Sequence, residues 1–325
     1  MLFSFILTTI ILFSTNVFGT SIKKHKSPIT KVLYNGLGVG NSTDGGFDLQ
    51  IYSNNVRYAA SVFSRKKYEL PWGKRQYGVV DAIVNKLNDN LPILIGLQEC
   101  LHNQLEDVLH GLNTKTTGSW KYFGVGRDNG KKKGEYTPII YDESIWEFTN
   151  GTYKWLSETP NKPSKFPGAG TKRMVTIGTF KHKQTNQSVN FINTHLDAKS
   201  HAARDFGTKL INDYIQQIPN KFPVFLSGDF NSKDNEEAYK TTAKELKDSA
   251  FISYKDINSD LRTYSGFGNE TGYNIDFIWS PENTNFDSGI YALTHEVVDN
   301  LFDVGHRFSD HRPVIVHFTI DILDN

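Results

Sequence analysis

The sequence holds a single cysteine, Cys100, which excludes an intramolecular disulfide and leaves a structural zinc site without its usual clustered thiolates. It has no charge excess of either sign. With 36 Lys and Arg against 35 Asp and Glu, the net charge is +1, so no whole-molecule field draws in a polyanion and any attraction to phosphate must be local. Gly-x-Ser-x-Gly is absent, which disfavours an α/β-hydrolase nucleophile, and no Gly-rich loop ends in Lys-Ser/Thr, which disfavours a P-loop nucleotidase. Beyond the N-terminus no apolar run approaches the roughly 20 residues that span a bilayer. Stable membrane insertion is therefore not expected.

What is present begins with an apolar stretch, Leu2 to Phe13, followed by Val17-Phe18-Gly19 and the basic Lys23-Lys24-His25-Lys26. This pattern reads as a signal peptide over residues 1–19, removed on secretion to the extracellular space. Asn-x-Ser/Thr acceptors at Asn41, Asn150, Asn186 and Asn269 are compatible with a secreted glycoprotein. Residues 20–46, rich in Gly, Ser, Lys and Thr, read as a flexible entry segment. Residues 47–325 show no linker or repeat and read as one domain, expected to be monomeric.

Within that domain, short β-type runs alternate irregularly with amphipathic helices. Strands are expected at 47–51, 93–96, 121–125, 137–141, 145–154, 174–181, 188–194, 224–228, 274–280 and 314–319, and helices at 73–88, 100–112, 198–217 and 235–246. The mixed order favours an α/β sandwich of two packed, mostly antiparallel or mixed β-sheets flanked by helices, over a strictly parallel doubly wound sheet.

Five hydrophobic strands end in carboxylate, amide or imidazole groups: Leu97-Gln98-Glu99, Asn193-Thr194-His195-Leu196-Asp197, Ser227-Gly228-Asp229-Phe230-Asn231, Asn274-Ile275-Asp276-Phe277-Ile278 and Ser309-Asp310-His311-Arg312-Pro313. Each alone is an ordinary loop. Together they match the demands of phosphoester hydrolysis, where the anionic ester must be neutralised and a water deprotonated in line with the leaving oxygen. Glu99 is a suitable oxygen ligand for Mg²⁺. Asp229 is placed to take a proton from water, and Asn231 to hold that water or a phosphate oxygen. His195 and His311 can donate to phosphoryl oxygens if each is kept protonated by a carboxylate behind it, with Asp276 the expected partner of His311.

These segments resemble, in residues and in order, those of the endonuclease/exonuclease/phosphatase superfamily, which includes deoxyribonuclease-I-like nucleases, inositol-polyphosphate phosphatases, sphingomyelinases and deadenylases. The resemblance covers Asn55 to Pro313. It implies that Asn55 touches phosphate, that Glu99 and Asp310 bind the metal, and that Glu135 orients His195. It also implies catalytic roles for Asp229, Asn231, Asp276 and His311. Some members carry an Asp two residues after the first Asn; Arg57 stands there in this chain, which argues for an extra phosphate contact instead of a second metal. Arg127 and Arg173 are further candidate phosphate or substrate contacts. The basic loop 127–133 is either a polyanion contact or a solvated turn, and Tyr264, Phe267 and Tyr273 either stack on a substrate ring or close the core.

The resemblance thus implies a Mg²⁺-dependent phosphoesterase, with Mn²⁺ as a substitute, and the N-terminal pattern adds the expectation that it is secreted. The first expectation for its substrate is a nucleic acid phosphodiester. The alternatives are an inositol phosphate, a sugar phosphate or sphingomyelin, and, in a different class, a non-catalytic binding protein on the same scaffold.

Overall fold

The computed structural model describes residues 47–87, 91–268, 272–281 and 289–320. The expected signal peptide, the entry segment, Asn41 and Asn269 lie outside these residues, whereas Asn150 and Asn186 are exposed. The described residues belong to one compact unit.

In chain order the strands are β1 Phe47–Asn55, β2 Ile93–Gln98, β3 Trp120–Phe123, β4 Ile139–Asp142, β5 Trp146–Trp155, β6 Met174–His182, β7 Ser188–His195 and β8 Val224–Asp229. They continue as β9 Lys247–Asp248, β10 Lys255–Ile257, β11 Asp276–Ser280, β12 Ile290–Val297, β13 Leu301–Phe302, β14 His306–Arg307 and β15 Val314–Ile320. The helices are α1 Trp72–Val84, α2 His102–Lys115, α3 His201–Gln216, α4 Glu237–Thr242 and α5 Ser249–Ile252. A seven-stranded sheet runs β10-β12-β15-β1-β2-β4-β3, a six-stranded sheet runs β5-β6-β7-β8-β11-β9, and β13 pairs with β14. Both large sheets are mixed: β1 runs parallel to β2 and antiparallel to β15, and β8 runs parallel to β7 and antiparallel to β11.

The period-2 pattern of the strands builds the layers. Leu49 and Ile51 of β1, Leu94 of β2, and Val314, Val316 and Phe318 of β15 meet Val189 and Phe191 of β7, Phe225 of β8 and Ile278 of β11 in the core between the sheets. Residues of opposite parity face outward. Tyr52, Ile93, Ile95 and Leu97 pack under Val79, Val80 and Ile83 of α1 and Leu105, Val108 and Leu112 of α2. On the other side, Ile192, Leu226, Phe277 and Trp279 lie under Ile211 of α3 and Ala238 and Tyr239 of α4. The result is four layers, with each buried aliphatic side chain worth about 1.5–3 kcal/mol. In α3, Ser200 caps the first turn by accepting the Ala203 N–H at 3.2 Å, a contribution of about 1 kcal/mol.

Toward one end of the sandwich, inward positions turn from apolar to polar. Gln98 donates to Asn193 Oδ1 at 2.8 Å and to Ser53 Oγ at 3.2 Å, and Asn193 donates to the carbonyls of Leu97 and Pro138, both at 2.8 Å. Gly96 is required here. A Cβ on it would lie 2.5 Å from Ser227 Oγ and 2.8 Å from the Asn193 side chain, so the two sheets meet closely at this layer.

Candidate active site

One step beyond that polar layer, the next inward positions are Asn55 on β1, His195 on β7, Asp229 on β8 and Asp276 on β11. His195 pairs in register with Asp229, and Asp229 with Asp276, across three adjacent strands. Glu99 follows β2, and His311 lies just before β15. Arg57, Glu99 and Asn231 have φ of 56°, 56° and 46°, a strained left-handed backbone of the kind that clusters at functional sites.

Asn55 is the hub. Its Nδ2 lies 2.9 Å from Asp229 Oδ2, 3.2 Å from Glu99 Oε1 and 3.5 Å from His311 Nε2. His311 Nδ1 is 2.9 and 3.0 Å from the two oxygens of Asp276, and its Nε2 is 3.7 Å from Asp229 Oδ2. Burial alone would lower the His311 pKa, but Asp276 and Asp229 outweigh it and push it up to about 10. At neutral pH the imidazole is therefore charged. Asp229 moves the other way: burial, reinforced by Asp276, pushes its carboxyl up to about 7 against the pull of His311 and Asn55.

His195 departs from the expectation that both histidines are held protonated. Its Nε2 lies 3.3 Å from Asp229 Oδ2, a spacing that would suit an ion pair, yet burial and then Arg173 and Arg127 hold its pKa well below the ordinary value. The hydrogen bonds agree with the neutral form. Asn231 Nδ2 must donate to the Leu196 carbonyl at 3.1 Å, and the same amide group faces His195 Nε2 at 3.0 Å. Nε2 therefore accepts, and the proton sits on Nδ1.

Glu135 also departs from its expected role. Its carboxylate takes a bidentate pair from Arg127 at 2.6 and 2.7 Å, and no hydrogen bond to His195 occurs among the described residues. Even with Arg127 beside it, burial raises its pKa. Arg127, Glu135, Thr137, Arg173 and Met174 line a small recess that opens on His195. Arg173 is held at 3.7 Å by Asp197, while its Nε and Nη1 are buried with no hydrogen-bond partner among the described residues. Two unsatisfied guanidinium nitrogens beside an imidazole make an anion-binding surface. Lys131, Lys132 and Lys133 stay exposed on the adjoining turn.

Arg57 lies between Glu99 and Glu69, 3.6 Å from each, so its charge is already shared with two carboxylates. Asp310 receives Lys66 Nζ at 2.6 Å on Oδ2, while its buried Oδ1 finds no hydrogen-bond partner among the described residues. Tyr264 sets its ring edge against His311 with Tyr273 stacked on it, and Phe267 is buried in the core.

Two groupings offer ligand atoms to a divalent ion. Asp229, Asp276 and His311 bring three within 4.8 Å of one another, but an imidazolium bonded to Asp276 has no lone pair to give. Glu99 and Asp310 fit a hard cation better, being oxygen donors with one buried carboxylate oxygen left unpaired.

Sequence reasoning missed Lys66, Glu69, Arg75 and Asn300. Arg75 is fully buried and donates to the carbonyls of Val56, Arg57, Tyr58, Leu70 and Phe308. Asn300 donates to those of Ser309 and His311 at 2.6 and 2.9 Å. An Arg in an amphipathic helix and an Asn in a loop carry no local signal of such roles.

The fold and this convergence define a phosphoesterase, and sequence comparison agrees. The chain belongs to the endonuclease/exonuclease/phosphatase family, whose profile matches residues 55–311, and it is accordingly a hydrolase of phosphoric esters. Among solved structures it is similar to an endonuclease/exonuclease/phosphatase family protein from Bacteroides thetaiotaomicron, with 27% identity, TM-score 0.76, and 85% of this chain and 99% of that one covered. It is similar to a mannosyl-6-phosphatase from the same bacterium, with 28% identity, TM-score 0.74, and 83% and 99% covered. D. rerio TDP2 complexed with a single-strand DNA product, at 17% identity, TM-score 0.62, and 83% and 98% covered, shares the fold. No curated protein sequence matches the chain.

Proposed function

We propose that the protein is a secreted, Mg²⁺-dependent phosphatase that hydrolyses a phosphomonoester on a sugar hydroxyl. The observation that carries the substrate class is the 28% identity to a mannosyl-6-phosphatase with 99% of that chain covered. The balanced net charge of +1 also favours a small substrate over a polyanion, since nucleic-acid grooves are basic. This reading departs from the nucleic acid expected first, for which the DNA-bound relative supplies the fold alone.

Asp229 takes the proton from a water aligned on phosphorus, a task suited to a carboxyl raised to about 7. Charged His311, held by Asp276, donates to a phosphoryl oxygen. Neutral His195 offers its Nδ1–H, and Arg173 supplies its unused donors to the same anion. A divalent ion held by Glu99 and Asp310 would neutralise developing negative charge. Asn55 fixes the spacing of Asp229, Glu99 and His311.

The test, with Mg²⁺ and with EDTA, follows inorganic phosphate from mannose 6-phosphate, other hexose phosphates and inositol phosphates, phosphocholine from sphingomyelin, and shortened fragments from DNA and RNA oligonucleotides. Mg²⁺-dependent release from hexose phosphates is expected. Cleavage of oligonucleotides with hexose phosphates left intact would remove the sugar-phosphate reading.

A further inference from the structure

Between β1 and α1 the chain makes an exposed loop that carries Val62, Phe63 and Tyr68 in solvent. One side chain of this loop turns back into the site. Lys66 Nζ lies 2.6 Å from Oδ2 of Asp310 and 5.6 Å from the centre of the Tyr264 ring. The loop is pinned there, because the Lys66 N–H donates to Glu69 Oε2 at 2.8 Å and Glu69 is buried 3.6 Å from Arg57 and 3.7 Å from Arg75.

The two carboxylates best suited to a divalent ion therefore each face a cation of this chain. Arg57 stands 3.6 Å from Glu99, and Lys66 stands on Asp310. The two cations are not equally free to leave. Arg57 is 10% exposed and clamped to Glu69, whereas the Lys66 side chain is 42% exposed on a flexible stem. An ion arriving at Asp310 finds Oδ1 unpaired but meets the ammonium already on Oδ2 of the same carboxylate, so the two cations repel and share one negative charge.

We propose that Lys66 is an exchangeable cation: it neutralises Asp310 in the metal-free protein and, when a divalent ion takes Asp310, moves to the phosphoryl group of the substrate. The second half rests on the phosphoester reading above. Because binding free energies are reciprocal, the residue then couples the two events, weakening metal binding on its own and strengthening anion binding once metal is present.

Calorimetric titration of the full chain tests both halves without turnover. Lys66→Met is expected to bind Mg²⁺ about tenfold more tightly than wild type in the absence of phosphate, and inorganic phosphate about tenfold more weakly at saturating Mg²⁺. Lys66→Arg, which keeps the charge, is expected to stay near wild type in both titrations, and a thermal melt checks that each variant is folded. Unchanged or weaker Mg²⁺ affinity in folded Lys66→Met overturns the exchange, and unchanged phosphate affinity overturns the transfer to substrate. Wild-type protein that binds Mg²⁺ but no phosphate refutes the phosphoester reading and the transfer together, leaving the metal titration to decide the exchange.

Discussion

Replacing Asp276 by Asn removes the charge that keeps His311 protonated and changes almost nothing else in shape. At about 1.4 kcal/mol per pH unit, the rise of His311 from 6.5 to about 10 represents on the order of 5 kcal/mol of net preference for the imidazolium. Asp276, at 2.9 Å, is the largest of three favourable influences, followed by Asp229, at 3.7 Å, and then Asp310. Without Asp276, burial is opposed only by Asp229 and Asp310, and the imidazole is expected to lose its proton about two pH units earlier. Wild-type kcat/KM is expected to follow a bell with limbs near 7, from Asp229, and near 10, from His311. In Asp276→Asn the alkaline limb falls below pH 8, and turnover at pH 8 drops about 10²–10³-fold, as for the loss of one preorganised donor. Stability moves with it. The folded pKa of His311 lies above the unfolded 6.5, so the pair stabilises fully below that pH and ceases to do so as pH rises through about 10. The assay is a pH–rate profile on a hexose phosphate, with NMR titration of the His311 ring as an independent reading. An alkaline limb that stays near 10 in folded Asp276→Asn would refute the assignment of His311 as the charged donor.

Further outcomes concern the recess, the acid limb and the scaffold. Arg173→Met is expected to lower kcat/KM about 10²-fold, since its guanidinium lines the recess beside His195 with Nη1 unpaired among the described residues; steady-state kinetics with unchanged kcat/KM would remove it from the site. Asp229→Asn abolishes the limb near 7 along with at least about 10³ of turnover, which a pH–rate profile on the residual activity checks. Arg75→Met leaves the five carbonyls that the guanidinium now joins without their donor and removes one of the two arginines beside buried Glu69, so urea denaturation is expected to show a loss of about 3–5 kcal/mol. Gly96→Ala forces the sheets apart at the polar layer, and a lowered Tm is expected without any change in the pH of either kinetic limb.

Four strands around the site were legible because they are apolar and periodic: 174–181, 188–194, 224–228 and 314–319 each lie within one residue of the observed bounds, whereas β1, expected at 47–51, runs on through its polar end to Asn55, and β11, expected from 274, starts at Asp276. The elements that escaped have weak patterns. Lys247–Asp248 and Lys255–Ile257 are pairings of two or three residues fixed by neighbours more than 30 residues away, Leu301–Phe302 and His306–Arg307 are a two-residue hairpin pairing, and Ile290–Val297 carries His and Glu among its apolar residues. The helix expected at 235–246 shortens to Glu237–Thr242. In the site, residue types were readable but their ionisation was not. That His195 is neutral depends on burial, with Arg173 and Arg127 near its ring, and that His311 is charged against the pull of burial depends on Asp276 beside it, an arrangement distant in sequence that no local motif encodes.

One physical regularity joins the fold to the chemistry. In β1, Leu49, Ile51, Ser53 and Asn55 share a parity; in β7 so do Val189, Phe191, Asn193 and His195, and in β8 Phe225, Ser227 and Asp229. Each series starts in the apolar core between the sheets, passes through the hydrogen-bonded layer of Ser53, Asn193 and Ser227, and ends on a reacting or positioning group. The groups are thus core positions, held at the rigidity of the core, and an isolated polar residue there would cost several kcal/mol if unpaired. The layer beneath lets the gradient exist. Gln98 donates to Asn193, and Asn193 donates to the carbonyls of Leu97 and Pro138, so the inward-facing strand ends become polar without leaving these amide donors stranded. A site assembled this way leaves its loops free to change, while the positions under Asp229 and His195 are fixed by packing from both sheets.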